Sequence, residues 1–172
     1  GDRLAGLQQK LLGGGDGLSG LSGLGAGGVA EPGGTLKPES QTDEFVAYVV
    51  SDVQEFWAAT FSASGREYPA TKLVLFTGAP SSGCGQASAA TGPFYCPADQ
   101  KVYLDLDFFN ELSSRFGAPG DFAMAYVIAH EFGHHIQTVT GVSEAVQAEV
   151  AADGSRRNEL SVKQELQADC FA

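Results

Sequence analysis

Positive charge is scarce in this sequence. Lys and Arg number 10 against 21 Asp and Glu in 172 residues, a formal net charge of −11. Nucleic acids and anionic membrane surfaces both reward clusters of Lys and Arg; no such cluster is present, which excludes both as partners. Long apolar runs are missing too. The run Ala123 to Ala129, even with Phe122 before it, falls far short of the roughly 18–20 residues that a membrane-crossing helix needs. Methionine is nearly absent: the chain opens at Gly1, and Met124 is its single Met. It ends at Ala172 within a helical pattern, so both ends are expected to continue, with any signal or anchor segment lying upstream. The length suits one domain with a core of its own.

Glycine is abundant but unevenly placed. Of 23 Gly, 13 fall between Gly1 and Gly34. Such a stretch buries too little to offset its ordering entropy, and residues 1–40 are expected to be a flexible Gly-rich linker. A phosphate-binding loop would need a preceding strand and a Gly-Lys-Ser/Thr ending, and neither is there. Residues 41–172 are expected to form the folded domain.

Within it, Thr42 or Asp43 is placed to cap a helix whose apolar positions Phe45, Val46, Val49, Val50, Val53, Phe56, Trp57 and Phe61 follow the 3.6-residue period, with Gly65 as its stop. Lys72 to Thr77 and Gln100 to Leu106 read as strands, and Phe108 to Phe116 as a short helix. Gly120 or Asp121 opens a helix that Gly141 ends; apolar nearly all round, it is expected to be buried. A further short helix is expected over Ser143 to Ala152 and a turn at Asp153-Gly154-Ser155. A last helix is expected from Ser161, with Gln164 completing a capping box. The pattern predicts an α+β fold: a small sheet flanked by helices.

All three histidines lie in the run His130-Glu131-Phe132-Gly133-His134-His135. At about 100° per residue, His134 falls about 40° round the helix from His130 and Glu131 about 100° round. Two imidazoles one turn apart on one face can hold a metal ion, and the adjacent carboxylate can reach a water there, the HExxH arrangement of zinc hydrolases. The other reading is a chance string of core histidines, which an apolar helix makes expensive without a metal. His135, about 140° from His130, is expected to serve structure or the edge of a cleft. Gly133 costs on the order of 1 kcal/mol inside a helix, a cost that close approach of another element would explain.

A catalytic zinc usually keeps three protein ligands, and no further His remains. Glu165 and Asp169 are four apart and share one helix face. Glu165 can complete a His2Glu site, and Asp169 can accept the second ring N–H of a ligand histidine. The alternative is a solvated acidic face. Cys84 and Cys96 flank a loop whose closure is worth about 3 kcal/mol. A disulfide there suits an oxidising compartment, against free thiols or thiolate ligands. Cys170 is left over, either paired outside this chain or buried.

The segments His130 to Gln137 and Glu165 to Cys170, with Gly83-Cys84-Gly85 through Cys96-Pro97 and Val102 to Asp105, resemble the bacterial putative neutral zinc metallopeptidase family of the gluzincin clan. The resemblance covers about residues 40 to 172. It implies a zincin-like fold with the metal site on a buried helix. It also implies Zn2+ held by His130, His134 and Glu165, a general base at Glu131, a supporting Asp169, and a peptide or protein substrate. An N-terminal membrane anchor, a catalytic domain outside the cytoplasm and a cleft completed by residues beyond Ala172 are implied as well. Tyr103 and Tyr126 are candidates for a transition-state donor. Nothing resembles the Gly-x-Met-Glu-Asn exopeptidase signature, which favours endopeptidase action. The strand from Gln100 to Leu106 is either a substrate-binding edge or ordinary sheet. A rival of another class is a non-catalytic zinc-binding module, a membrane-tethered scaffold or regulator.

Overall fold

The computed structural model describes residues 29–30, 41–86, 92–108, 114 and 120–172. Most of the expected linker therefore lies outside the described residues; Val29–Ala30 (β1), within it, pair antiparallel with the first long strand.

Helix α1 (Gln41–Ala63) starts before the expected caps, so Thr42 and Asp43 fall in its first turn. Its stripe buries Val46, Val49, Val50, Trp57 and Phe61, whereas Phe56 faces outward at 60% exposure. The stop is as expected. Gly65 takes φ 69°, and the N–H groups of Gly65 and Arg66 donate to the carbonyls of Ser62 and Phe61, closing the last turn with a left-handed residue.

Strands β2 (Lys72–Phe76), β3 (Ser81–Ser82), β4 (Gly85–Gln86), β5 (Phe94–Cys96) and β6 (Lys101–Asp105) follow. The main sheet has the order β1-β2-β6-β5. β2 and β6 run parallel, with Leu73 opposite Val102 and Leu75 opposite Leu104, and β5 returns antiparallel. β6 is thus paired on both sides. A strand with both ladders filled cannot accept a peptide, and among the described residues the edge on that side is β5.

Alternation sorts the side chains. Leu73, Val102 and Leu104 join Val46, Val49, Val50, Met124, Ile128 and Phe132 in the main core between sheet and helices. Phe76, Cys96 and Tyr103 cluster with Phe94 and Val74. Cys84 and Cys96 are bonded, Cα atoms 5.8 Å apart, tying the β3–β4 turn to β5.

Residues 106–108 and 114 are helical, and the rest of the expected helix Phe108 to Phe116 lies outside the described residues. Helix α2 (Gly120–Val139) runs into Gly141, whose φ of 84° ends it. It is buried along one side only: Phe122 and Tyr126 are exposed at 77% and 40%. Helix α3 (Val142–Ala152) leads into a 3-10 turn (Gly154–Arg156) capped by Asp153, whose side chain accepts from the Ser155 N–H. The last helix, α4 (Arg157–Phe171), begins a full turn before Ser161. The capping-box pattern is overridden because the 3-10 turn already supplies the helix start, which leaves Ser161 and Gln164 in its interior.

Among the described residues no helix is long and apolar enough to cross a membrane.

Candidate metal centre

α2 and α4 pack against each other, and the reason is Gly133. A Cβ there would stand 2.9 Å from the Ala168 carbonyl oxygen and 3.0 Å from its Cα, both closer than ordinary contact. With glycine the helices approach to backbone distance, and Ala168 is fully buried in the seam. That approach sets Glu165, three residues before Ala168, and Asp169, the residue after it, against the histidine face of α2.

There the ligand atoms converge. The Nε2 atoms of His130 and His134 lie 3.2 and 3.4 Å from Glu165 Oε2. One ligand atom from each of the three residues lies within 4.8 Å of the others. Ligands about 2.0–2.2 Å from a tetrahedral zinc stand roughly 3.4 Å apart, so the two histidine-to-glutamate spacings are those of a zinc site.

The outer faces of both rings are also committed. His130 Nδ1 lies 2.8 Å from Asp169 Oδ1, which the Tyr126 hydroxyl also reaches at 2.6 Å. His134 Nδ1 lies 2.9 Å from Gln137 Oε1. The Gln137 Nε2 donates to the Gln164 carbonyl at 2.7 Å, an acceptor only, so its Oε1 must face His134. A carboxylate and an amide oxygen can only accept, hence both rings carry their proton on Nδ1 and, when neutral, a lone pair on Nε2. Two nitrogen lone pairs and a carboxylate oxygen then point at one another. A cation between them turns that repulsion into coordination, and the donor set fits Zn2+.

Glu131 is nearly buried, at 8% exposure. Burial pushes its carboxyl up to about 7, with His134 lowering it, the Glu165 charge adding to the rise and the Tyr95 backbone opposing it. Asp169 is held below the ordinary carboxylate range, first by the Tyr126 hydroxyl and also by its hydrogen bond and charge contact with His130.

His135 turns away from the ligands. At 1% exposure, its Nε2 donates to the Pro69 carbonyl at 2.6 Å and its Nδ1 faces the Tyr95 hydroxyl at 3.2 Å. Burial lowers its pKa, with the Pro69 hydrogen bond opposing, which suits a neutral ring tying β5 and the α1–β2 connection to α2.

The two tyrosine candidates both have their hydroxyls donating to carboxylates. Tyr103 donates to Asp99 at 2.6 Å and stacks on Phe94 with centroids 4.7 Å apart; Tyr126 serves Asp169. Cys170 is exposed and free among the described residues rather than buried. Gln137, fully buried, was given no role by the sequence. Its signal there is modest: a polar residue three after a ligand histidine shares that histidine's face. A cleft of about 300 Å³ borders the site, lined by Tyr95, Pro97, His134, Thr138 and Glu165 among others.

The "Uncharacterized protein YpfJ" of Escherichia coli (strain K12) is 43% identical over 135 residues, 78% of this chain and 47% of its own length. The "Uncharacterized protein Rv2575" of Mycobacterium tuberculosis is 48% identical over 107 residues, 61% of this chain and 35% of its own. The chain thus spans at most about half the length of these relatives. No solved structure matches it. The sequence profile described as "Putative neutral zinc metallopeptidase" matches residues 12–172, a span that includes every residue of the convergent His–His–Glu group, and the chain belongs to that family.

Proposed function

We propose that this chain is the metal-binding part of a zinc-dependent peptidase of zincin-like architecture that hydrolyses internal peptide bonds. The observation that carries the reading is the convergence of both histidine Nε2 atoms on Glu165 Oε2 at 3.2 and 3.4 Å, with both Nδ1 atoms already hydrogen-bonded.

His130, His134 and Glu165 would hold the ion. Zinc, when bound, supplies Lewis-acid polarisation of the scissile carbonyl and acidifies water. Glu131, next to His130 and shielded from bulk solvent, is the group that takes the proton from the attacking water and delivers it to the leaving amine. Asp169 and Gln137 hold the imidazoles by their outer nitrogens, which keeps the Nε2 lone pairs directed inward.

An extended substrate would add along β5, the edge on that side among the described residues, since β6 has both neighbours in place. The cleft beside Tyr95, Pro97 and His134 would receive substrate at the end of that edge. The Cys84–Cys96 bond supports an oxidising location outside the cytoplasm, and the anchor would belong to a longer chain.

The test is zinc-dependent cleavage of an unfolded protein substrate by this chain and by the longer Escherichia coli relative, each with its Glu131→Gln equivalent. The expected result is cleavage that a chelator abolishes and the Gln variant lacks while retaining zinc. Zinc binding with no hydrolysis by either protein would instead assign a non-catalytic zinc module. Turnover that survives Glu131→Gln would remove Glu131 as the base.

A further inference from the structure

Gln137 is a fully buried polar side chain that the peptidase reading uses only through its oxygen, as a support for His134, yet every polar atom of its amide is used. Its Oε1 faces His134 Nδ1 at 2.9 Å, and its Nε2 donates to the Gln164 carbonyl at 2.7 Å and to Gln167 Oε1 at 3.1 Å. The donor it accepts from lies on α2, and both acceptors lie on α4.

The carbonyl it holds belongs to the residue immediately before Glu165. We propose that Gln137 is a positioning residue that sets two of the three ligands at once. Through Oε1 it fixes the His134 tautomer, and through Nε2 it pins the α4 backbone that carries Glu165. The proposal rests on the metal-site reading and adds a cause for the convergence, namely that one amide makes ligand presentation on α2 depend on the docking of α4.

The chemistry is directional. The Gln164 carbonyl can only accept, so it fixes which end of the amide faces it; the opposite end must then be the oxygen, which demands an N–H on His134 Nδ1. Breaking the α4 contact therefore frees the amide to flip. A flipped amide would offer His134 a donor, favour the Nε2–H tautomer and occupy the nitrogen that should face the ion. On the His130 side the acceptor, Asp169, is itself carried by α4, and a carboxylate has no donor end to flip in.

The experiment compares the unaltered protein with Gln137→Met, which keeps side-chain length without hydrogen bonds, and Gln137→Glu, which keeps the acceptor for His134 but offers the Gln164 carbonyl no donor. Val49→Ala, in the core and away from the site, controls for lost stability. Zinc affinity is read by chelator competition, and the His134 tautomer by imidazole nitrogen shifts in the zinc-free protein above pH 8.

The expected pattern is a roughly 10–100-fold loss of zinc affinity in the Met variant, a smaller loss in the Glu variant, and none in Val49→Ala. The zinc-free His134 should be the Nδ1–H tautomer in the unaltered and Glu proteins and gain Nε2–H in the Met variant. A Met variant that binds zinc as the unaltered protein does, or keeps the His134 tautomer, overturns the proposal. A Glu variant as weak as the Met variant overturns the tautomer role; one equal to the unaltered protein overturns the α4 role. If the unaltered protein takes up no zinc, the metal-site reading fails, and the tautomer comparison still decides Gln137.

Discussion

Replacing Gly133 by alanine tests the helix seam that brings the ligand groups together. The added methyl would sit 2.9 Å from the Ala168 oxygen, 3.0 Å from its Cα and 3.3 Å from its Cβ. Ordinary carbon contacts lie at about 3.5–4.0 Å, so roughly half an ångström must be found. The facing atoms are mostly backbone, and no rotamer change can supply it; α4 must move outward. Overpacking of this kind costs about 1–3 kcal/mol, while exchanging Gly for Ala within a helix returns about 1 kcal/mol. The net stability change is then small, about 0–2 kcal/mol destabilising.

Metal binding is far less tolerant. Glu165 and Asp169 flank Ala168 on the same helix, and sound sites hold ligand distances to within about 0.2 Å. Zinc affinity should fall at least tenfold by chelator competition, with a melting temperature close to that of the unaltered chain. A Gly133→Ala protein that is more stable and binds zinc unchanged would refute the close approach, since helix propensity alone would then govern the position.

Three further outcomes are expected. Asp169→Ala removes the acceptor for the His130 ring N–H and the Tyr126 hydroxyl and should weaken zinc binding about 10–100-fold; a loss under twofold would leave Asp169 as a surface carboxylate. Reduction, or Cys84→Ser with Cys96→Ser, should lower unfolding free energy in denaturant titration by about 3 kcal/mol, and an unchanged midpoint would show that the 12-residue separation constrains nothing. Asp153 has its pKa lowered by hydrogen bonds from Ser155, so its contribution is present above the unfolded carboxylate value and fades as pH falls through the lower folded value. Asp153→Ala should therefore be less stable than the unaltered chain at neutral pH, with the gap closing in strong acid. A gap that persists at pH 1 would assign the effect to packing.

The legible part of this molecule was its local chemistry. The His130–His134 spacing and the Glu165–Asp169 face are helix periodicities, readable because partners within a turn or between two helical faces obey fixed angles. Gly133 was legible as an anomaly, and its partner Ala168 came only with the structure. What stayed hidden depends on packing between distant segments. Gln137 takes its meaning from a carbonyl 27 residues away. β6 takes its sequence neighbour β5 on one side and the more distant β2 on the other, and a single strand's alternation says nothing about who sits beside it. The Ser161 cap failed for a related reason: the 3-10 turn at Gly154–Arg156 started the helix earlier, and an established helix absorbs a cap signal in its interior. Phe122 and Tyr126 show the limit of reading burial from composition, since an apolar helix is covered only where something packs on it.

The most direct test of the metal centre is zinc content per chain, measured by mass spectrometry on the purified protein, on Glu165→Ala and on His134→Ala. One zinc per chain in the unaltered protein, lost or greatly weakened in both variants, is the predicted result. An unaltered chain that takes up no zinc, or a Glu165→Ala protein that holds it as tightly, would contradict a site built from His130, His134 and Glu165.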